Sequence, residues 1–197
     1  FFHVGMKVND SAIIYLHQDI NNRYNQYYTD NTNILNTEIE NTYFNIKIRQ
    51  TDFALVKENI IAKRYTIVNG NKLDLDLSFL VRSKLYSNDN NMVSGKVIDN
   101  GLIQYNHDFS FSIFANKDIS GHRINDVESC FREAVLTDKD YIGMSNDSAV
   151  SYNLGQLKSG DQIDFTLFIY IENNNNIKNM EELEEKIENY KKIDVNK

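Results

Sequence analysis

Residues 73–82, LDLDLSFLVR, alternate in a near-complete two-residue period: Leu73, Leu75, Leu77, Phe79 and Val81 share one parity, and Asp74, Asp76, Ser78 and Arg82 the other. Successive side chains of an extended strand point to opposite faces, so this stretch has one dry face and one wet face. The same period recurs at 11–18 (SAIIYLHQ), 42–50 (TYFNIKIRQ), 59–68 (NIIAKRYTIV), 101–106 (GLIQYN), 109–114 (FSFSIF) and 148–155 (SAVSYNLG), all of which read as strands. Turn signals lie between them. VNGNK at 68–72 contains Asn-Gly, the commonest hairpin dipeptide, while IDNG at 98–101 and KSGDQ at 158–162 do similar work. Antiparallel connections follow from this spacing.

Residues 161–171, DQIDFTLFIYI, carry Ile163, Phe165, Leu167, Ile169 and Ile171 on one side and Phe168 and Tyr170 on the other. A strand apolar on both faces is a central strand or one covered by a partner. After the NNNN tract at 173–176 the period lengthens, and Met180, Leu183, Ile187 and Tyr190 recur every three or four residues among Glu and Lys. That stripe marks an amphipathic helix, which either packs back on the sheets or leads into a following domain. The expected fold class is all-β: a large antiparallel β-sandwich, or super-sandwich, with a C-terminal amphipathic linker helix.

With 197 residues and 23.0 kDa the chain suits one β domain, and its 12 Tyr and 11 Phe provide material for a core between two sheets. The formal charge of -7 and pI near 5.1 argue against nucleic acid or anionic lipid, which need clustered Lys and Arg. A neutral ligand or another protein fits that balance better. No apolar run approaches the roughly 20 residues of a membrane span. Cys130 is the only cysteine, so no intramolecular disulfide and no cysteine-based metal site can form. The reduced thiol and lack of a visible signal point to the cytoplasm, leaving an upstream signal open. Asparagine tracts such as NDNN at 88–91 and NNNN at 173–176 read as loop tips and a linker.

The pair Asp74 and Asp76 invites comparison with a glycosidase's two carboxylates, because same-face neighbours on a strand lie roughly 6.8 Å apart. The comparison fails on direction. Acid and base must flank the scissile bond, whereas neighbours on one strand face point the same way and cannot straddle a sugar. The histidines His3, His17, His107 and His122 show no HxH or HExxH spacing. His107 and Asp108, adjacent in what reads as strand, are expected on opposite faces. DNTNILNTEIE at 30–40 is rich in oxygen ligands but lacks the central Gly of a calcium loop. No phosphate-binding glycine loop, GxSxG elbow or CxxC pair occurs, so neither metal nor cofactor is expected. The sequons at Asn9 and Asn146 carry weight only in a secreted protein.

The most distinctive region is 139–171, where a polar loop with Gly143, Asn146 and Asp147 feeds a strand. Tyr141 and Met144 beside Asp140 and Asp147 are suited to stack on a sugar and bond its hydroxyls. The same set, Asp140, Tyr141, Met144, Asn146 and Asp147, serves equally as loop anchors or as a domain interface.

NIIAKRYTIVNGNKLDLDLSFLVRS, GLIQYNHDFSFSIF and KDYIGMSNDSAVSYNLG with its following SGD turn resemble the N-terminal β-sandwich domain of bacterial glycoside hydrolase family 15, the glucoamylase-like and glucodextranase-like enzymes. The resemblance covers about residues 1–172, and 173–197 resembles the linker and helix leading toward the catalytic domain. Related maltose and cellobiose phosphorylases carry similar sandwiches. The resemblance implies inverting hydrolysis of α-glucosidic bonds by two glutamates in an (α/α)6 barrel absent from this chain, so no catalytic residue carries over. It further implies an accessory domain with that barrel as its partner, α-glucan as a further ligand, and missing first strands. An uncovered edge or face of this kind invites self-association. A stand-alone carbohydrate-binding module is the alternative.

Overall fold

The computed structural model describes residues 1–55, 58–86, 93–137, 140–174 and 180–191, so the NDNN tract and residues 175–176 of the NNNN tract lie outside the described residues. Two sheets, antiparallel throughout, face one another. The smaller runs β11 (Gly121–Ile124), β13 (Asp147–Leu157), β7 (Leu75–Lys84), β1 (Phe2–Val8) and β2 (Ile14–Tyr15), in that order. The larger runs β12 (Ile142–Met144), β8 (Ser94–Ile98), β9 (Gly101–Tyr105), β10 (Phe109–Ala115), β14 (Gln162–Asn173), β6 (Ile60–Asn69), β5 (Ile46–Ala54), β4 (Leu35–Asn41) and β3 (Asn22–Tyr28). The expected all-β sandwich is the observed fold.

The alternation of β7 is realised as expected: Leu75, Leu77, Phe79 and Val81 are buried between the sheets, and Asp76 is exposed. Leu73, on the apolar parity, lies before the strand and is exposed. Phe79 meets Tyr65 and Phe165 at ring separations of 4.7 Å each, and Tyr152 meets Phe165 at 5.1 Å, so four aromatic rings from both sheets fill the centre. Each such side chain contributes about 1.5–3 kcal/mol when fully buried. Polar bonds also cross the interior, from Ser83 Oγ to Gln104 Oε1 at 2.6 Å and from the Tyr152 hydroxyl to the Asn100 carbonyl at 3.1 Å. The second half of β7 is buried on its outer face too. There Leu80 packs with Ile13, Ala149 and the residues Val127 and Phe131 of helix α1 (Val127–Arg132).

Strand β14 is the middle strand of nine. Phe165 and Leu167 enter the inter-sheet core, while Phe168 and Tyr170 on its other face lie under helix α2 (Met180–Lys191). Leu183 and Ile187 of α2 are buried there with Ile60, Ile103 and Phe114. The helix therefore packs back on the sandwich. Tyr190 donates to Glu58 at 2.7 Å, and Lys96 bonds Glu184, so polar bonds hold the last turn and the middle of the helix against the sandwich.

Four local expectations need correction. Only Ile14–Tyr15 of the 11–18 segment forms strand, and residues 42–45 are a turn, with Asn45 at φ 51°, so that the next strand starts at Ile46. The Asn69-Gly70 turn is not a hairpin: β6 pairs with β5 and β14, β7 with β1 and β13, and the turn carries the chain from one sheet to the other. KSGDQ makes a second such crossing, with Gly160 at φ +81°, whereas IDNG does close the hairpin β8–β9 with Ile98 opposite Gly101.

Candidate functional site

The larger sheet outreaches the smaller on both sides, which leaves a lateral opening at each end of the sandwich. At one end, edge strand β11 faces β8 and β12. A groove of about 370 Å³ lies there, lined by Asp99, Asp118, Ser120, His122 and Tyr141 with Val97 and Ile98. The exposed Tyr141 ring sits 4.5 Å from the His122 ring at an angle of 48°. Its backbone carbonyl accepts from Val97 N at 2.7 Å, which fixes its position beside β8.

The five residues singled out in the 139–147 loop do not converge. Tyr141 turns into the groove. Ile142 and Met144 pair with Lys96 and Ser94 in register, and paired residues share a face of the sheet. Lys96 bonds Glu184 of α2, so the exposed Ile142 and Met144 lie on the outer face, beside that helix. Asp140 is exposed in left-handed backbone at φ 53°. The carbonyl of Asn146 accepts from Leu85 N at 2.8 Å and Gln104 Nε2 at 3.0 Å, anchoring the loop to both sheets. Asp147 points away from Tyr141 into an ion pair with Arg82, which raises the guanidinium pKa further, chiefly through the hydrogen bond.

Asp74 and Asp76 are both exposed, and Asp74 Oδ1 accepts from Ser159 N at 3.1 Å, so this carboxylate braces the β13–β14 turn. His107 and Asp108 do meet, with Nδ1 3.1 Å from Oδ1. They occupy the turn between β9 and β10 rather than a strand, so the opposite-face rule does not apply to them. Both are exposed at a hairpin tip. The oxygen-rich 30–40 segment is the β3–β4 turn followed by β4. Among the described residues, no group of three or more His, Cys, Asp or Glu is placed to hold a metal ion.

A second opening was not signalled by any motif. At the opposite end β1 and β2 stop short of β3 and β4, and the exposed inner face of the larger sheet becomes the floor of a cleft of about 390 Å³. Tyr24, Thr37, Gln50 and Tyr65 belong to that floor, and Phe2 and Leu16 to its wall. The lining comes from six separate strands or loops, and only the register of the folded sheets assembles it.

No family model matches the chain, and no curated protein matches it. Solved structures do. A bacterial glucoamylase complexed with acarbose superposes with a TM-score of 0.71 at 14% identity, over 98% of this chain and 29% of that one. A kojibiose phosphorylase assignment from the human microbiome superposes with a TM-score of 0.50 at 11% identity, over 98% of this chain and 25% of that one. The chain thus spans less than a third of either protein, and across nearly all of its own length it has the fold of a β-sandwich found in bacterial glucoamylase.

Proposed function

We propose that the chain is a non-catalytic domain of a glucoamylase-like, family 15 type glycoside hydrolase acting on α-glucans, and that it packs on and supports an (α/α)6 barrel lying outside residues 1–197. The observation that carries this reading is the match of 98% of the chain to only 29% of a glucoamylase. A piece that matches almost whole to a minor part of a larger enzyme fits an accessory role. The apolar Ile142 and Met144, exposed beside α2, offer the kind of face that a neighbouring domain covers. The free Cys130 suits the cytoplasm, and no described helix is long and apolar enough to cross a membrane.

Translating the gene past the codon for Lys197 tests this. Paired amphipathic helices bearing two glutamates on barrel loops are expected, and removing residues 1–172 from that enzyme should lower its melting temperature. A stop codon soon after Lys197 would overturn the reading. A stand-alone carbohydrate-binding module is favoured by one separate observation, the Tyr141 groove with Asp99 and Asp118 at its rim. Maltooligosaccharide titration should then saturate and be lost on Tyr141→Ala; absence of any heat would sink it.

A further inference from the structure

We propose that the cleft between β1–β2 and β3–β6 is a binding site for a neutral, hydroxyl-rich ligand of mono- or disaccharide size, read by the buried Tyr65 hydroxyl and flanked by Tyr24 and Phe2. The site is distinct from the Tyr141 groove, and the inference does not depend on the accessory-domain reading.

Three observations support it. First, Tyr65 lines the cleft, is wholly buried, and its hydroxyl has no hydrogen-bond partner in the protein. A buried polar group without a partner costs about 1–3 kcal/mol, and such a cost persists at places where a ligand completes the bond. Burial first, and the nearby Asp52 second, push the phenol pKa well up, so the group is a neutral donor over the physiological range.

Second, the charges on the floor cancel. Lys63 Nζ lies 2.9 Å from Asp52 Oδ1, and Gln50 Nε2 donates to Asp52 Oδ2 at 2.7 Å, with both charged side chains mostly buried. Opposite charges this close carry no net charge with which to select an anion or a cation. Third, the remaining lining mixes uncharged polar groups with aromatic faces. Gln26 donates to Thr37 at 2.8 Å, which holds both side chains on the floor, and Tyr24 and Phe2 flank them. A pyranose has the matching pattern, with hydroxyls at its edge and C–H bonds on its faces. The volume, about 390 Å³, falls within the range of ligand pockets, about 300–1,000 Å³.

The test is calorimetric titration of the full chain with glucose, maltose and maltotriose, alongside Tyr65→Phe, Tyr24→Ala and Tyr141→Ala. Saturable binding is expected. Tyr65→Phe removes one hydrogen bond to the ligand and weakens binding about tenfold. Without sugar the same variant should melt no lower than the wild type, because it deletes an unpartnered hydroxyl and keeps the ring, so its readout is not confounded by unfolding. Tyr24→Ala should also weaken binding, and Tyr141→Ala should leave it unchanged. No binding by any of the three sugars overturns the proposal, as does binding that Tyr65→Phe and Tyr24→Ala leave intact. Binding lost only in Tyr141→Ala overturns it in favour of the other groove.

Discussion

Asp147 holds Arg82 through both carboxylate oxygens, Oδ1 2.9 Å from Nε and Oδ2 2.6 Å from Nη2, with the two side chains only 13% and 7% exposed. Glu128 of α1 lies 3.8 Å from the same guanidinium, and the Phe1 ring centroid 5.3 Å from its Cζ. One cation thus links the start of β13, the end of β7, helix α1 and the N-terminal residue. A loop carboxylate that sequence alone makes a candidate sugar ligand is held by a structural partner.

Removing that carboxylate leaves a buried cation with only an exposed Glu128 nearby. Asp147→Ala is expected to cost about 3–5 kcal/mol in urea denaturation. The double variant Asp147→Leu with Arg82→Met should recover much of the loss, since deleting both charges removes the desolvation penalty with the attraction. A loss below about 1 kcal/mol for the single variant would show that the pair is dispensable.

Helix α2 closes the outer face of β14, so its buried stripe should matter and its wet face should not. Ile187→Ala is expected to destabilise by about 2–5 kcal/mol, because Phe168 and Tyr170 lose their cover and a void remains. Glu188→Ala, on the exposed side, should stay within about 0.5 kcal/mol. Equilibrium unfolding of both variants, with limited proteolysis of the linker, separates a docked helix from a loosely tethered one; equal small effects would mean that the helix is not docked.

Strand parity carried most of the fold. β6, β7 and β13 bury apolar side chains at alternate positions over much of their length, and that is what a sequence pattern reports, whereas β9, the second half of β10 and the middle of β14 are buried at successive positions because both of their faces are covered. Strand β3, NRYNQYY, gave no such signal because as an edge strand it has little to bury. Helix α1 spans only six residues, too short to display a helical period. The Asn-Gly turn misled because a tight turn fixes local direction but not whether the next strand pairs with the last or crosses to the other sheet. At the Tyr141 groove the aromatic residue was legible and its neighbours were not, since Asp99, Asp118 and His122 arrive from other elements. The Tyr65 cleft was wholly hidden, for Tyr65 reads in sequence as one more core aromatic.

The inner face of the larger sheet also leaves apolar groups uncovered. Ile61 and Ile171 are 45% and 49% exposed, with Ile169 opposite Ile61 and Phe111 opposite Ile171 in register. An apolar cluster of this kind favours association. Light scattering well above micromolar concentration should find dimers or larger species, and Ile61→Lys with Ile171→Lys should shift the population toward monomer. A clean monomer for the unmodified chain would remove this prediction.

The last prediction concerns acid. His3 lies with its ring centroid 4.5 Å from Phe1 and 4.9 Å from His17. Burial first, then the charges of His17, Arg82 and the N-terminal ammonium, hold its pKa below the ordinary 6.5. Asp147 and Glu128 face the same region but are engaged by Arg82. In the unfolded chain His3 takes up its proton near 6.5, whereas the folded chain resists until a lower pH. Between those two values the unfolded state binds more protons, so stability falls as pH drops through the unfolded value, and the deficit is complete below the folded one. The melting temperature of the wild type should therefore decline more steeply from about pH 7 to about pH 5 than that of His3→Phe, which keeps an aromatic ring against Phe1. Parallel curves for the two proteins would place the acid sensitivity elsewhere, whereas a flatter curve for His3→Phe would identify this imidazole as a group whose protonation the folded N-terminal strand opposes.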